Sequence, residues 1–120
     1  MSTTTTANAE LIRDIDSMDA KAFASHLSEN CVLRYANNDE VVGRDAIEAA
    51  IAGFYTTIKA LRHDVVEEWN VGDATIIQFE VTYTRHDDRQ VTVPAVSIIR
   101  RGGELIDDYR IFVDLTPVYA

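Results

Sequence analysis

Residues 61–113 read LRHDVVEEWNVGDATIIQFEVTYTRHDDRQVTVPAVSIIRRGGELIDDYRIFV, and three turn signals divide them: Asn70-Val71-Gly72-Asp73, His86-Asp87-Asp88-Arg89 and Arg101-Gly102-Gly103-Glu104. Each is rich in residues that tolerate tight turns and positive φ. The segments between them, Arg62 to Trp69, Thr75 to Arg85, Val91 to Arg100 and Leu105 to Val113, are dominated by β-branched and aromatic residues. Strands joined by short turns pair antiparallel. Four strands in two hairpins are expected.

Upstream, the pattern turns helical. Ala7, Leu11, Ile15 and Met18 recur at helical spacing, which predicts a first helix over about Ala7 to Asp16. Ser17 or Asp16 can cap a second, whose apolar stripe is Ala20, Phe23, Ala24 and Leu27, and Ser28-Glu29-Asn30 ends it. Cys31 to Tyr35 reads as a strand, Asn37-Asn38-Asp39 as a turn and Glu40-Val41-Val42 as a short returning strand. Gly43-Arg44-Asp45 opens a third helix in which Asp45 and Glu48 have capping-box spacing, with Ile47, Ala50, Ile51, Phe54 and Ile58 as its apolar face. That stripe suits a helix lying across the concave side of a sheet. The class is α+β, with three helices from the N-terminal half filling a cupped sheet.

Composition sets bounds. A chain of 120 residues, 47% hydrophobic, supports one core. We expect one domain over residues 7–120 after a flexible tail at 1–6. The formal charge of −9 opposes binding to phosphate backbones or anionic lipid, so neither nucleic acid nor membrane is an expected partner. Met1 to Thr6 has neither a basic start nor an apolar run, and a cytoplasmic location is expected. Cys31 is the sole cysteine, and the three histidines lack metal-ligand spacing. No phosphate-binding glycine loop, serine nucleophile elbow or redox cysteine pair is present. No metal and no cofactor are expected.

Two segments carry a family resemblance. Gly43 to Phe54 resembles the third-helix entry of limonene-epoxide-hydrolase-type proteins, and Gly103 to Asp114, with Asp108-Tyr109-Arg110-Ile111-Phe112-Val113-Asp114 continuing to Pro117, is similar to the last strand of many SnoaL-like proteins. The order of elements is also that of the SnoaL-like, or nuclear transport factor 2-like, superfamily. The resemblance implies a cone-shaped fold with a strongly curved, mainly antiparallel sheet. It does not fix the function, since ketosteroid isomerases, polyketide cyclases, dehydratases, epoxide hydrolases and non-catalytic proteins share that fold.

The chemistry of those families is then sought position by position. Aligned with ketosteroid isomerases, the base position holds Tyr35, the tyrosine position Ile12, and the aspartate position Ala95 or Val96. Aligned with epoxide hydrolases, the Arg and Asp positions hold Phe79 and Val81, the last-strand Asp position holds Ile111, and the water-placing Tyr and Asn become Leu33 and Tyr35. Both familiar mechanisms lack their acid and base groups.

Strand alternation selects what remains. If Phe79 and Val81 face the pocket, so do Ile77 and Tyr83, and on the last strand Asp107, Tyr109, Ile111 and Val113 turn inward. Arg110, turned outward, is placed to meet Glu80. The catalytic candidates are Asp107 and His63 for moving a proton, with Tyr35 and Tyr109 to hold developing negative charge. The resemblance also supports His63, where SnoaL-like proteins often carry a polar residue or histidine. Each has a plainer reading: a strand-edge histidine, a surface carboxylate after a hairpin, core tyrosines. Phe54, Tyr55, Trp69, Phe79, Val81 and Ile111 are the expected wall for a small hydrophobic ligand. The sequence thus points to a SnoaL-like pocket protein for such a molecule, acting without a cofactor as an isomerase, cyclase or dehydratase. The alternative is a non-catalytic binding protein or scaffold that dimerises through its sheet face.

Overall fold

The structure is a computed structural model that describes residues 6–120. The tail expected over residues 1–6 lies outside them except for Thr6, which already opens the first helix. Helices α1 (Thr6–Asp16) and α2 (Ala20–Ala24) precede strand β1 (Leu27–Tyr35), the short β2 (Val41–Val42) and helix α3 (Arg44–Tyr55). Four long strands follow, β3 (Ala60–Val71), β4 (Ala74–Thr84), β5 (Gln90–Arg101) and β6 (Ile106–Val113), and then a short helix α4 (Thr116–Tyr119). The six strands form one sheet in the order β2-β1-β6-β5-β4-β3. Every junction is antiparallel except β1 with β6.

The expected elements are present, with local corrections that have physical causes. Asp19, rather than Ser17 or Asp16, caps α2: its Oδ1 accepts from the backbone N–H groups of Lys21 and Ala22 at 3.1 Å each, a contact typically worth ~1 kcal/mol. Residues 28–30 do not end a helix but belong to β1, which begins at Leu27 because Leu27, Cys31 and Leu33 all bury completely. The capping box at Asp45 and Glu48 does not form. Gly43 is the N-cap of α3, with φ of 100°, a conformation that favours glycine. Asp45 instead sits in the first turn, where a negative charge favours the helix dipole.

The core fills the concave side of the sheet. Phe23 of α2 and Ile47, Ile51 and Tyr55 of α3 pack in one cluster with Leu33, Ile77, Ile99 and Ile106 from the strands. Side chains of this kind each contribute ~1.5–3 kcal/mol on full burial. On β4 the alternation holds as expected, with Ile77, Phe79, Val81 and Tyr83 all buried.

Two β-bulges break the alternation elsewhere. In β3 the register slips between Val65 and Glu67, so that Trp69 lies opposite the outward Ile76 and is 41% exposed. Trp69 is therefore on the outer face, not in the pocket wall. In β6, Arg100 pairs with Asp108 while Arg101 pairs with Ile106, leaving Asp107 as the extra, exposed residue and turning Ile106 into the core. Arg110 faces outward but does not reach Glu80; its guanidinium pairs with Asp108 at 2.8 Å and Glu40 at 2.5 Å.

Candidate active site

The helices leave a cavity of about 60 Å³ between themselves and the concave sheet. One water requires ~10–15 Å³ of such space, so the hollow has room for a few waters. The strands supply Tyr35, Leu61, His63, Phe79, Val81, Tyr83, Ala95, Ser97, Tyr109, Ile111 and Val113, the helices Ile15, Phe23, Ile51, Phe54 and Tyr55, and the chain after β6 adds Leu115. No Asp, Glu, Lys or Arg lines it among the described residues. The wall is apolar and aromatic, with one histidine, one serine and tyrosine hydroxyls as its polar groups.

His63 is the most constrained of these groups. Its Nδ1 lies 2.7 Å from Oδ1 of Asp16, and its backbone N–H donates to Oδ2 of the same carboxylate at 3.0 Å. An ionised carboxylate only accepts, so Nδ1 carries the hydrogen and a neutral imidazole keeps its lone pair on Nε2. The ring is further held edge-to-face against Phe79, with centroids 4.9 Å apart. The bond between α1 and β3 thus fixes both orientation and tautomer. A carboxylate-backed imidazole of this kind can accept a proton at Nε2 while Asp16 stabilises the resulting imidazolium.

The tyrosines divide by what their hydroxyls touch. Tyr55 donates to the carbonyl of Ile15 at 3.0 Å, tying α3 to the end of α1. Tyr109 is 2% exposed, and burial pushes its phenol well up, partly offset by the neighbouring Ser97 hydroxyl. Burial also raises Tyr83, to about 12, with Tyr119 and Asp16 adding to the effect, and it raises Tyr35. All four remain neutral hydrogen-bond donors at physiological pH. Cys31 is fully buried and its thiol is pushed up to about 11 by that burial and by Asp108 and Asp107, which makes it a core side chain rather than a nucleophile.

Of the residues selected from the sequence, His63, Tyr35, Tyr109, Phe54, Tyr55, Phe79, Val81 and Ile111 line this cavity together. Asp107 does not. Its carboxylate sits on the exposed bulge, where it would collide with any side chain placed at Gly102. Asp16, absent from the sequence-based set, is the carboxylate that the fold brings to His63. No local signal marks it, because its partner is 47 residues away.

A second hollow, about 180 Å³, lies beside Arg34, Ala36, Asn37, Arg110, Ile111 and Phe112. Its guanidiniums are engaged already, Arg34 by the Asn38 carbonyl at 2.9 Å and Arg110 by its two carboxylates. Among the described residues no three His, Cys, Asp or Glu side chains gather as metal ligands, and no helix is long and apolar enough to cross a membrane.

Similar proteins share this architecture. A hypothetical protein with a ketosteroid isomerase-like fold from Catenulispora acidiphila DSM 44928, in complex with trimethylamine, superposes with a TM-score of 0.87 at 16% identity, over 95% of this chain and 89% of that one. A protein assigned as a SnoaL-like polyketide cyclase from Jannaschia sp. CCS1 gives 0.77 at 18% identity, over 99% and 93%. An LEH-like epoxide hydrolase from M. tuberculosis gives 0.78 at 10% identity, over 94% and 84%. At these identities the likeness is one of fold. No curated protein sequence matches the chain. The family model of the SnoaL-like domain, however, matches residues 9–109, nearly all of the sheet and helices described above. The chain belongs to the SnoaL-like domain family.

Proposed function

We propose that this protein binds a small, mainly apolar organic molecule in the concave cavity and moves a proton on it without a cofactor, in an isomerisation, cyclisation or dehydration. The observation that carries this reading is the Asp16–His63 pair at the wall of a cavity lined by no charged residue of the acid or basic types. His63 acts as the base, Asp16 positions it, and the tyrosine hydroxyls stabilise negative charge as it develops. A neighbouring structure that holds trimethylamine supports a small-molecule role for the fold. Epoxide hydrolysis is disfavoured. Phe79, Val81 and Ile111 line the cavity where that chemistry needs its Asp-Arg-Asp set.

A thermal-shift screen of small neutral carbonyl compounds, followed by incubation of each binder in D2O, tests the reading. Deuterium entering a carbon position with wild-type protein, and not with His63→Gln, supports it. Binding with no exchange above the buffer rate leaves a binding protein instead.

The outer face favours a second property. Trp69, Phe112 and Val42 are exposed there at 41%, 58% and 65%, around the mixed-sign cluster of Arg110, Asp108 and Glu40. Apolar surface beside paired charges of both signs is self-complementary, and we infer a homodimer through this sheet face. Sedimentation at micromolar concentration distinguishes it from a monomer, and Phe112→Lys should dissociate it.

A further inference from the structure

Resting on the proton-transfer reading of His63, a second group in the cavity narrows what the ligand carries. Tyr83 is 5% exposed, lines the cavity and makes no side-chain hydrogen bond among the described residues. Its position in the sheet is specific. His63 lies opposite Val81, and Tyr83 is the next inward residue along β4, the diagonal relation in which long side chains on one face reach each other. Its phenol also lies within electrostatic reach of Asp16, which helps to keep it protonated.

The other hydroxyls are placed differently. Tyr55 is committed to the Ile15 carbonyl. Tyr109 lies opposite Ile99 and so in the row of Thr75, well down β4 from Val81, with Ser97 beside it. Tyr35 is on β1, opposite Ile111 and across β6 and β5 from β4. Beside His63, the cavity therefore offers one hydroxyl donor, on Tyr83, and one imidazole acceptor, Nε2. Neither atom belongs to the fully buried unpaired polar atoms of the described residues, so both keep accessible surface, and a ligand that covers them without matching them would leave each unpaired, which is costly.

We propose that the cavity selects a molecule with a weakly acidic O–H, a phenol or an enol, whose single oxygen donates to Nε2 of His63 and accepts from the hydroxyl of Tyr83. Proton transfer within this contact moves the ligand's hydroxyl proton to Nε2. The products are an oxyanion held by Tyr83 and an imidazolium held by Asp16, with charge conserved. Carboxylates are excluded for lack of a Lys or Arg in the wall.

The test uses 4-nitrophenol, whose anion is yellow, and 4-nitroanisole, the same ring without the acidic hydrogen. Titrations of wild-type protein are read by calorimetry and absorbance, at a pH where free nitrophenol is mostly neutral. Nitrophenol should bind at least about tenfold more tightly than nitroanisole, the value of one to two net hydrogen bonds, and develop the anion band on binding. Tyr83→Phe, which keeps the ring, should erase about tenfold of that preference, and Tyr119→Phe, whose hydroxyl meets Thr57 outside the cavity wall, should not. Equal affinity for the two compounds overturns the inference while leaving the apolar pocket intact. Binding of neither overturns the pocket reading as well. Loss of preference in Tyr35→Phe but not in Tyr83→Phe moves the donor across the sheet and removes Tyr83 from the site.

Discussion

Helix α1 ends in two aspartates, and each holds a histidine at the same distance. Asp14 meets Nε2 of His26 at 2.7 Å, and Asp16 meets Nδ1 of His63 at 2.7 Å. Their exposures are similar too, 19% and 26% for the first pair against 13% and 23% for the second, histidine first. What separates them is everything around the bond. His26 precedes β1 and is not part of the apolar cup, whereas His63 lines that cup, rests on Phe79 and gives its backbone N–H to the same carboxylate. A histidine–carboxylate contact becomes a candidate for chemistry only when its far nitrogen meets space that a substrate can occupy.

The largest expected effect breaks the pairs apart functionally. On any ligand that shows solvent-proton exchange with wild type, His63→Gln should lower the exchange rate by about 10²–10⁴-fold, the usual contribution of a positioned base. Asp16→Asn should follow it closely by losing the tautomer. His26→Gln and Asp14→Asn should leave the rate unchanged, and cost no more than about 1 kcal/mol in urea unfolding, as expected for a partly exposed pair. Equal losses at both pairs would mean that the substitutions act through α1 as a whole.

A second difference between inside and outside concerns alkaline stability. Burial raises the Tyr83 phenol from 10 to about 12 and the Cys31 thiol from 9 to about 11. Because the folded state prefers their protonated forms, their contribution is complete below the unfolded values. It is lost as pH rises through the folded ones. Each raised group corresponds to a loss on the order of 2 kcal/mol. The melting temperature should therefore fall between about pH 9 and pH 12, and Tyr83→Phe with Cys31→Ala should flatten that fall. An unchanged slope in the double variant would assign the loss to other buried phenols such as Tyr55 and Tyr109.

Alternation along the strands made much of this cup legible in advance, and its failures share one cause. From Phe79 the period of two correctly turns Val81 and Tyr83 inward, and with them the fold and most of the wall. A bulge at Val66 ends that rule in β3 and puts Trp69 outside; another at Asp107 ends it in β6. A bulge is one extra residue whose cost depends on neighbouring strands, so β-propensity does not reveal it. Asp16 escaped for a different reason. Between two helical patterns its carboxylate reads as a cap for the second helix, and only the packing of α1 on β3 supplies its actual partner.

That packing can be loosened at one atom. Tyr55→Phe removes the hydroxyl that holds the Ile15 carbonyl next to Asp16, and should cost about 1–2 kcal/mol by urea unfolding. The loss should weaken the His63 side of the comparison more than the His26 side. The ring resonances of the two histidines provide the readout: those of His63 should broaden or move, and those of His26 should hardly change.

The smallest effect belongs to Asp107, and its smallness is informative. Were alternation unbroken, Asp107 would enter the cavity with Tyr109, and Asp107→Asn would remove a carboxylate from the reaction. The bulge instead leaves its side chain over Gly102 in solvent. Substitution there should change stability by less than about 0.5 kcal/mol, as at ordinary surface positions, and leave ligand affinity and proton exchange at wild-type values. Deleting residue 107 probes the backbone instead: closing the bulge leaves Ile106 opposite Arg101 and Asp108 opposite Arg100, so Ile106 and Tyr109 both stay inward and the chain should still fold, losing only the local bend of β6. A silent Asp107→Asn would exclude its carboxylate from the reaction, and a folded deletion that still binds ligand would show that Ile106 and Tyr109 set the inward row of β6, with residue 107 supplying only the bend.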